Sequence, residues 1–81
     1  MEIKFSRHAK RRMQLYKVEE DDVIMTLKSY VADKQLISGK QGVINKKMSG
    51  KYGYPLKVIF SKENDKIVVI TAYPLRKKRK S

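Results

Sequence analysis

The chain has 81 residues, and its 20 lysines and arginines outnumber its 8 acidic residues, which gives a formal net charge of +12 at pH 7. The length suits one small domain, because two halves would each be too short to bury a core. The chain has no cysteine, which excludes a disulfide framework and thiolate zinc sites. No apolar run reaches the ~18 residues of a membrane span. We therefore expect a single domain at residues 1–75 and a basic tail at residues 76–81.

The charge is spread unevenly along the chain. Glu19, Glu20, Asp21 and Asp22 form an acidic cluster, so basic residues dominate the remainder. Lysine and arginine contacts to phosphate release condensed counterions, and nucleic acid is therefore the leading partner. An acidic protein fits the same charge, whereas a membrane fits less well because no basic amphipathic helix with bulky apolar anchors is present. A basic surface that is merely solvated is the remaining alternative, although small domains usually carry a net charge of only ~2–8.

The first part of the chain predicts a strand and a helix. Residues 2–5 alternate polar and apolar side chains, as a short strand does. Ser6 is placed to cap a helix that begins at Arg7. The apolar stripe of this helix consists of Ala9, Met13 and Tyr16.

A second helix is predicted from the acidic cluster onward. Val18 and Val23 occupy the two positions of a hydrophobic staple if Glu19 is the N-cap. The other three acidic residues fall in the first turn, where the helix dipole favours negative charge. We therefore interpret the acidic cluster as the start of a helix rather than as a metal site. The apolar face of this helix consists of Val23, Leu27, Tyr30 and Val31.

From residue 32 onward the apolar period changes to that of strands. Glycine-containing turns separate the strands, and Asn64 suits the positive φ of a hairpin at residues 63–65. The last strand is apolar on both faces, which places it inside the sheet. The predicted strands are residues 35–38, 42–48, 54–61 and 66–73. The sequence thus predicts an α+β fold in which β-α-α is followed by a four-stranded antiparallel β-meander, with the helices packed on one face of the sheet.

His8 and Arg12 are the first candidates for chemistry. They lie one helical turn apart, in line with Tyr16, and therefore share a face beside the apolar stripe. The helix dipole and the neighbouring arginines disfavour a charged imidazole, which suits His8 to act as acid or base on RNA. Arg11 and Arg12 match the geometry of a phosphate. The alternatives are a half-buried histidine bonded to a backbone carbonyl, and arginines that are simply solvated.

The last two predicted strands add Lys57, Thr71 and Tyr73 to the candidates. Strict alternation puts Thr71 and Tyr73 on the face of Ile67 and Val69. We expect this face to meet the helix of the histidine, where Thr71 donates to phosphate and Tyr73 stacks on a base or relays a proton. Ordinary strand propensity also explains Thr71, and packing at the edge of the core also explains Tyr73.

Further RNA contacts are expected from the second half of the chain. Tyr52 and Tyr54 stand among lysines near a glycine-rich turn, a composition typical of single-stranded RNA platforms, although packing at the turn explains them as well. The basic tail adds phosphate affinity without sequence preference. The predicted RNA-binding residues are Arg11, Lys47, Tyr54, Lys57, Arg76 and Lys77.

Several familiar signals are missing from the sequence. One histidine and no cysteine make a transition-metal site improbable, and no P-loop, G-x-S-x-G or dinucleotide fingerprint is present. We therefore expect no cofactor. The opening residues lack the apolar stretch of a secretory signal, so we expect a cytoplasmic protein.

Three segments together resemble a known family. They are FSRHAKRRM at residues 5–13, which fits the pattern F-S-x-H-A-x-x-R-M, VEEDDV at residues 18–23, and VITAYP at residues 69–74. The resemblance is to small proteins catalogued as a domain of unknown function and grouped with the RelE/ParE-like toxins. These toxins are related to metal-independent ribonucleases of the barnase–EndoU–colicin–RelE fold.

The resemblance implies a β-α-α-β-meander fold and, in the toxin members, RNA cleavage that an antitoxin holds in check. The family positions fall on His8, Arg12, Thr71 and Tyr73 of this chain. The chain departs from the pattern at residues 16–17, Tyr-Lys where relatives commonly have Arg-Gly, and at Glu19, where relatives usually have Ser or Thr.

The resulting hypothesis is a toxin-like, metal-independent endoribonuclease that cleaves messenger or transfer RNA by attack of the 2′-hydroxyl, with an acidic or DNA-binding antitoxin as its partner. His8 is the acid or base, Arg12 and Lys57 hold the phosphate, and Thr71 and Tyr73 assist. The alternative is a basic module that binds nucleic acid or an antitoxin without cleaving RNA.

Overall fold

The computed structural model describes residues 2–33 and 38–75. Its elements are β1 (Glu2–Phe5), α1 (Arg7–Tyr16), α2 (Glu20–Asp33), β2 (Gly39–Asn45), a 3-10 turn (Lys46–Met48), α3 (Ser49–Tyr52), β3 (Leu56–Glu63) and β4 (Lys66–Pro74). None of the helices in this described part is long and apolar enough to cross a membrane.

The strands of the described residues form one mixed sheet in the order β1-β4-β3-β2. β3 pairs antiparallel with both β2 and β4, whereas β1 pairs parallel with β4. The predicted α+β class and the order β-α-α followed by strands are therefore confirmed, as is the interior position of the last strand. The sheet is not purely antiparallel, because β1 joins it alongside β4.

The element boundaries differ from the prediction between residues 35 and 53. The strand predicted at residues 35–38 falls largely on residues 34–37, which lie outside the described residues. β2 begins at Gly39 and ends at Asn45, whose side chain accepts a hydrogen bond from the Lys47 amide and so starts the 3-10 turn. The predicted turn at residues 49–53 is instead α3, which ends at Gly53 with a φ of 78°. The hairpin has Asn64 at a φ of 55°, as predicted.

Ser6 determines where α1 begins. Its hydroxyl accepts a hydrogen bond from the Ala9 amide at 3.0 Å and donates one to the Ile70 carbonyl at 3.0 Å. The Ser6 amide also donates to the Val69 carbonyl, at 3.0 Å. The predicted cap is confirmed, and the same residue fastens α1 to β4.

The core lies between the two long helices and one face of the sheet. Tyr30 of α2 meets Phe60 of β3 edge-on, with 6.0 Å between the ring centroids. Complete burial of one large apolar side chain contributes about 1.5–3 kcal/mol. The buried apolar residues are Ala9, Met13, Val18, Val23, Leu27, Leu56, Val58, Phe60, Ile67, Val69 and Ala72. The predicted helix stripes therefore face the core, with Tyr16, Tyr30 and Val31 at its margin.

An irregularity in β4 reverses the faces that its later side chains occupy. Ile59 pairs with Thr71, but Phe60 pairs with Val69, so Ile70 is an extra residue in β4. Phe60 and Val69 lie on the helix-covered face, whereas Thr71 lies with Ile59 on the opposite face. The prediction that the threonine and tyrosine of β4 share a face with the apolar residues before them is therefore wrong. Alternation does not continue through a β-bulge.

The replacement Ser6→Ala should lower the free energy of unfolding by about 1–2 kcal/mol, because it removes both the N-cap and the bond to the Ile70 carbonyl. Ser29→Ala, at an exposed position inside α2, is the matched control and should change stability by less than ~0.5 kcal/mol. Urea denaturation measures both variants. Unchanged stability of Ser6→Ala would contradict the role assigned to this serine.

Candidate functional site

Arg12 of α1 and Tyr73 of β4 are in contact. The guanidinium carbon lies 5.9 Å from the centroid of the Tyr73 ring, which is within the range of a cation–π interaction. Lys57 of β3 pairs directly with Tyr73, so their Cβ atoms are about 5 Å apart. All three side chains are half-buried. Three of the predicted site residues therefore lie together, and we refer to Arg12, Lys57 and Tyr73 as the basic site.

This arrangement follows from the way α1 runs along β4. Ser6 is bonded to Ile70, and Arg12 lies beside Tyr73. Arg12 is six residues after Ser6 in the helix, and Tyr73 is three residues after Ile70 in the strand. Six helical residues rise ~9 Å and three strand residues span ~10 Å. The helix and the strand therefore advance in step and in the same direction. Their relative register is fixed at the Ser6 end.

His8 lies one turn before Arg12 on the same face of α1, and its side chain is exposed. Two residues of helix advance ~3 Å beyond Ser6, which brings His8 level with Thr71 on β4. His8 therefore borders the basic site on the side nearer the start of the helix. Arg11 is exposed, but it stands ~100° round the helix from Arg12 and points away from this face.

Thr71 lies next to the basic site without opening onto it. The residue is 9% exposed, and its hydroxyl oxygen is buried with no hydrogen-bond partner in the described part of the chain. A buried hydroxyl has no access to a phosphate on the surface. The accessible groups of the site are consequently those of Arg12, Lys57 and Tyr73, with His8 beside them.

Two other predicted RNA-binding residues lie at the same end of the sheet as Tyr73. Lys47 is exposed just after β2 ends, and Tyr54 is 40% exposed just before β3 begins. Asn45, Leu56 and Pro74 are paired across this end of the sheet, so β2 and β4 finish where β3 starts. The predicted contacts of Arg76 and Lys77 lie outside the described residues.

The opposite end of the sheet carries both signs of charge, since Lys62 bonds to the Asn64 carbonyl there and Lys4 is paired with Glu2. Glu2 and Glu63 flank Lys66 in one row across β1, β4 and β3. The adjoining shallow groove is lined by these three residues together with Asn64 and Asp65. Its three carboxylates make this end less attractive to a polyanion than the end that carries the basic site.

A second polar cluster, absent from the sequence-based prediction, joins α2 to α3. The Tyr52 hydroxyl donates a hydrogen bond to the Asp22 carboxylate and accepts one from the Glu19 amide at 3.1 Å. The Lys51 ammonium lies 2.7 Å from the Asp22 carboxylate and 2.8 Å from that of Glu19. We refer to Glu19, Asp22, Lys51 and Tyr52 as the α2–α3 cluster.

The α2–α3 cluster keeps Asp22 ionised although its residue is only 6% exposed. Hydrogen bonds from Lys51 and Tyr52 hold the pKa of Asp22 below its ordinary value of 3.8, against the opposing effect of burial. Hydrogen bonds to Asp22 and Glu19 raise the pKa of Lys51. Burial, followed by the bond to Asp22, raises the pKa of Tyr52. Tyr52 is therefore engaged in packing at the turn, which was the alternative to RNA stacking.

The acidic cluster of the sequence lies at the start of α2, as its interpretation required. Val18 and Val23 are buried on either side of the helix start, and Glu20, Asp21 and Asp22 occupy the first turn. Residues 2–33 and 38–75 contain no group of three His, Cys, Asp or Glu side chains that could hold a metal ion.

Comparison with known proteins places this arrangement in a family. A family model described as "Domain of unknown function (DUF4258)" matches residues 5–74. The chain belongs to the DUF4258 family. No significant match was found among curated proteins or among solved structures. The DUF4258 match includes every residue of the basic site and of the α2–α3 cluster.

The basic site and the α2–α3 cluster of this DUF4258 domain differ in how well they can be predicted from the sequence. Residue type and helical spacing selected Arg12, and residue type and the strand pattern selected Lys57 and Tyr73. Asp22 and Tyr52 are 30 residues apart, and no local pattern links them. The local sequence therefore gave no signal that distinguished Asp22 from Glu20 and Asp21.

Asp22→Asn should make the free energy of unfolding of the DUF4258 domain less dependent on pH in the acidic range. Because folding lowers the Asp22 pKa, the stabilisation is complete above the ordinary value of 3.8 and is lost as the pH falls through the lower folded value. The wild type should therefore lose stability below about pH 4 more steeply than the Asp22→Asn variant does. Urea denaturation over a pH series measures the slopes. Asp21→Asn removes a carboxylate from the neighbouring exposed position and is the control. A slope for Asp22→Asn equal to that of the wild type would rule out the assignment.

Proposed function

We propose that this domain is a metal-independent endoribonuclease that cleaves RNA by attack of the 2′-hydroxyl on the adjacent phosphorus. The observation that supports it most is the contact between Arg12 and Tyr73, with Lys57 paired to the same tyrosine. Two cations beside a phenol hydroxyl offer a phosphodiester both charge stabilisation and a proton-transfer group. RNA supplies its own nucleophile, so the protein needs only an acid, a base and cations.

The distribution of charge supports an RNA substrate. The chain carries a net charge of +12, and the carboxylates of Glu2 and Glu63 at the far end of the sheet make the end with the basic site the more attractive one for a polyanion. Tyr54 and Lys47 extend that end with an exposed ring and an exposed ammonium. A single-stranded segment can place its phosphates on such cations and stack a base on the exposed ring.

The proposed reaction transfers two protons. A base removes the proton of the 2′-hydroxyl, whose oxygen bonds to phosphorus, while the bond from phosphorus to the 5′-oxygen breaks and an acid protonates that oxygen. The products are a 2′,3′-cyclic phosphate and a 5′-hydroxyl. We assign the proton transfers to His8 and Tyr73. We assign to Arg12 and Lys57 the stabilisation of the negative charge that develops on the phosphate oxygens.

We further propose that the domain is a RelE/ParE-like toxin whose RNA target is messenger or transfer RNA in the cytoplasm, on the ribosome or apart from it. The support is the F-S-x-H-A-x-x-R-M opening and the T-x-Y-P ending on a β-α-α-β order. An acidic antitoxin would complement the basic surface. The chemistry requires no cofactor.

Incubation of the purified protein with single-stranded RNA in EDTA tests the proposal. The wild type should produce cyclic phosphate ends, and His8→Ala should lower the rate by about 10²–10⁴-fold because a proton-transfer group is lost. Gln14→Ala, exposed on another side of α1, is the matched control and should cleave normally. Cleavage at equal rates by the wild type and His8→Ala would contradict the mechanism. RNA that is bound but stays intact, with or without ribosomes, would favour a binding module instead.

Binding of an RNA in which every 2′-hydroxyl is methylated isolates the phosphate contacts from cleavage. Lys57→Ala should weaken binding and reduce the slope of log affinity against log salt by about 1, because one phosphate contact is lost. Lys10→Ala removes the same charge from an exposed position on α1 outside the basic site and should change the slope less. Fluorescence anisotropy over a salt series gives both slopes, and identical slopes for the two variants would exclude Lys57 from the contact.

A further inference from the structure

A groove of about 330 Å³ follows the outer edge of β2, on the side away from β3. Met25 of α2 and Met48 of the 3-10 turn line it, together with Val43 and Ile44 of β2. Val43 pairs with the core-facing Val58, whereas the next residue, Ile44, has its side chain on the opposite face of the sheet. Because neighbouring residues from both faces of β2 line the groove, it runs along the strand's edge.

β2 is an edge strand of the described sheet, in which β3 is its one neighbouring strand. Alternate backbone N–H and C=O groups of an edge strand point away from its neighbour and are available to another strand. Met25 is 52% exposed and Ile44 is 46% exposed, so apolar surface accompanies these backbone groups. The two walls are bonded to each other, since the Asn45 side chain donates to the Thr26 hydroxyl at 2.8 Å. The groove is therefore formed without a bound partner.

The surroundings of the groove are basic. Lys47 lines it, and Lys28, Lys40 and Lys46 are exposed on the same three elements. Asp21 and Asp22, about one helical turn before Met25, are the neighbouring carboxylates on α2. Lys28, almost one turn after Met25, offsets Asp21, and Lys51 is paired with Asp22. No acidic residue is among those that line the groove. An occupant with negative charge is therefore favoured.

We propose that this groove binds an acidic segment of a partner protein in extended conformation, which pairs with β2 as an additional strand. Backbone pairing supplies affinity, alternate apolar side chains of the segment contact Met25 and Ile44, and its carboxylates face the surrounding lysines. RNA lacks the peptide groups that an edge strand pairs with. A second copy of this chain would bring two charges of +12 together, which opposes self-pairing. The proposal does not depend on RNA cleavage.

The test is a titration of the isotope-labelled protein with a synthetic eight-residue peptide of alternating glutamate and valine, followed by NMR. The signals of Met25, Ile44 and Met48 should shift most. Ile44→Glu should weaken binding at least about tenfold. Leu15→Glu introduces the same charge at a residue of α1 that is 70% exposed, so it should bind nearly as the wild type does. Circular dichroism confirms that both variants fold.

Two further peptides separate the parts of the proposal. A peptide with N-methyl groups on consecutive central residues cannot pair on either edge and should lose binding, and a peptide with lysine in place of glutamate should bind at least about tenfold more weakly. The proposal would be overturned by any of three results. These are NMR shifts confined to Lys57 and Tyr73, equal weakening of binding by Ile44→Glu and Leu15→Glu, and unchanged binding of the N-methylated peptide. A dimer of the wild-type chain that Ile44→Glu abolishes would instead identify a second copy as the occupant.

Discussion

The junction between Ser6 and Ile70 is the constraint on which the rest of the molecule depends. Ser6 caps α1 and bonds to the carbonyl of the one extra residue in β4. The extra residue moves Tyr73 out of the helix-covered face. The bond sets α1 along the edge of β4 beyond the last residue paired with β1, and Arg12 reaches the tyrosine ring from that edge. A strand without the bulge would direct Tyr73 into the core. A helix without the bond would lose its register with β4.

A row of paired residues connects Tyr73 to the outer edge of the sheet. Ile44, Lys57 and Tyr73 are partners across β2, β3 and β4, so the outer edge of β2 lies about 10 Å from the tyrosine, at two strand spacings. An acidic strand bound to that edge would stand near Lys57 and compete with a phosphate for it. The basic site and the β2 groove are therefore distinct surfaces that share one row of the sheet.

The sequence was a good guide wherever the determining interactions are local. Ser6, the apolar stripe of α1 and the first turn of α2 are set by residues a few positions apart, so their patterns were sufficient. The bulge at Ile70 was missed because it is defined by the partner strand and not by the residues around it. α3 was missed because Gly50 and Gly53 indicate a turn. The tertiary bonds of Lys51 and Tyr52 to α2 are the interactions that hold the helix in place.

The central claim is that α1 and the sheet contribute to one phosphate site, and a titration with a 2′-deoxy dinucleotide, which cannot be cleaved, tests it most directly. Followed by NMR, the side-chain signals of His8, Arg12, Lys57 and Tyr73 should move together with a single dissociation constant. Shifts limited to the sheet residues, or signals from α1 that follow a different dissociation constant, would contradict the account.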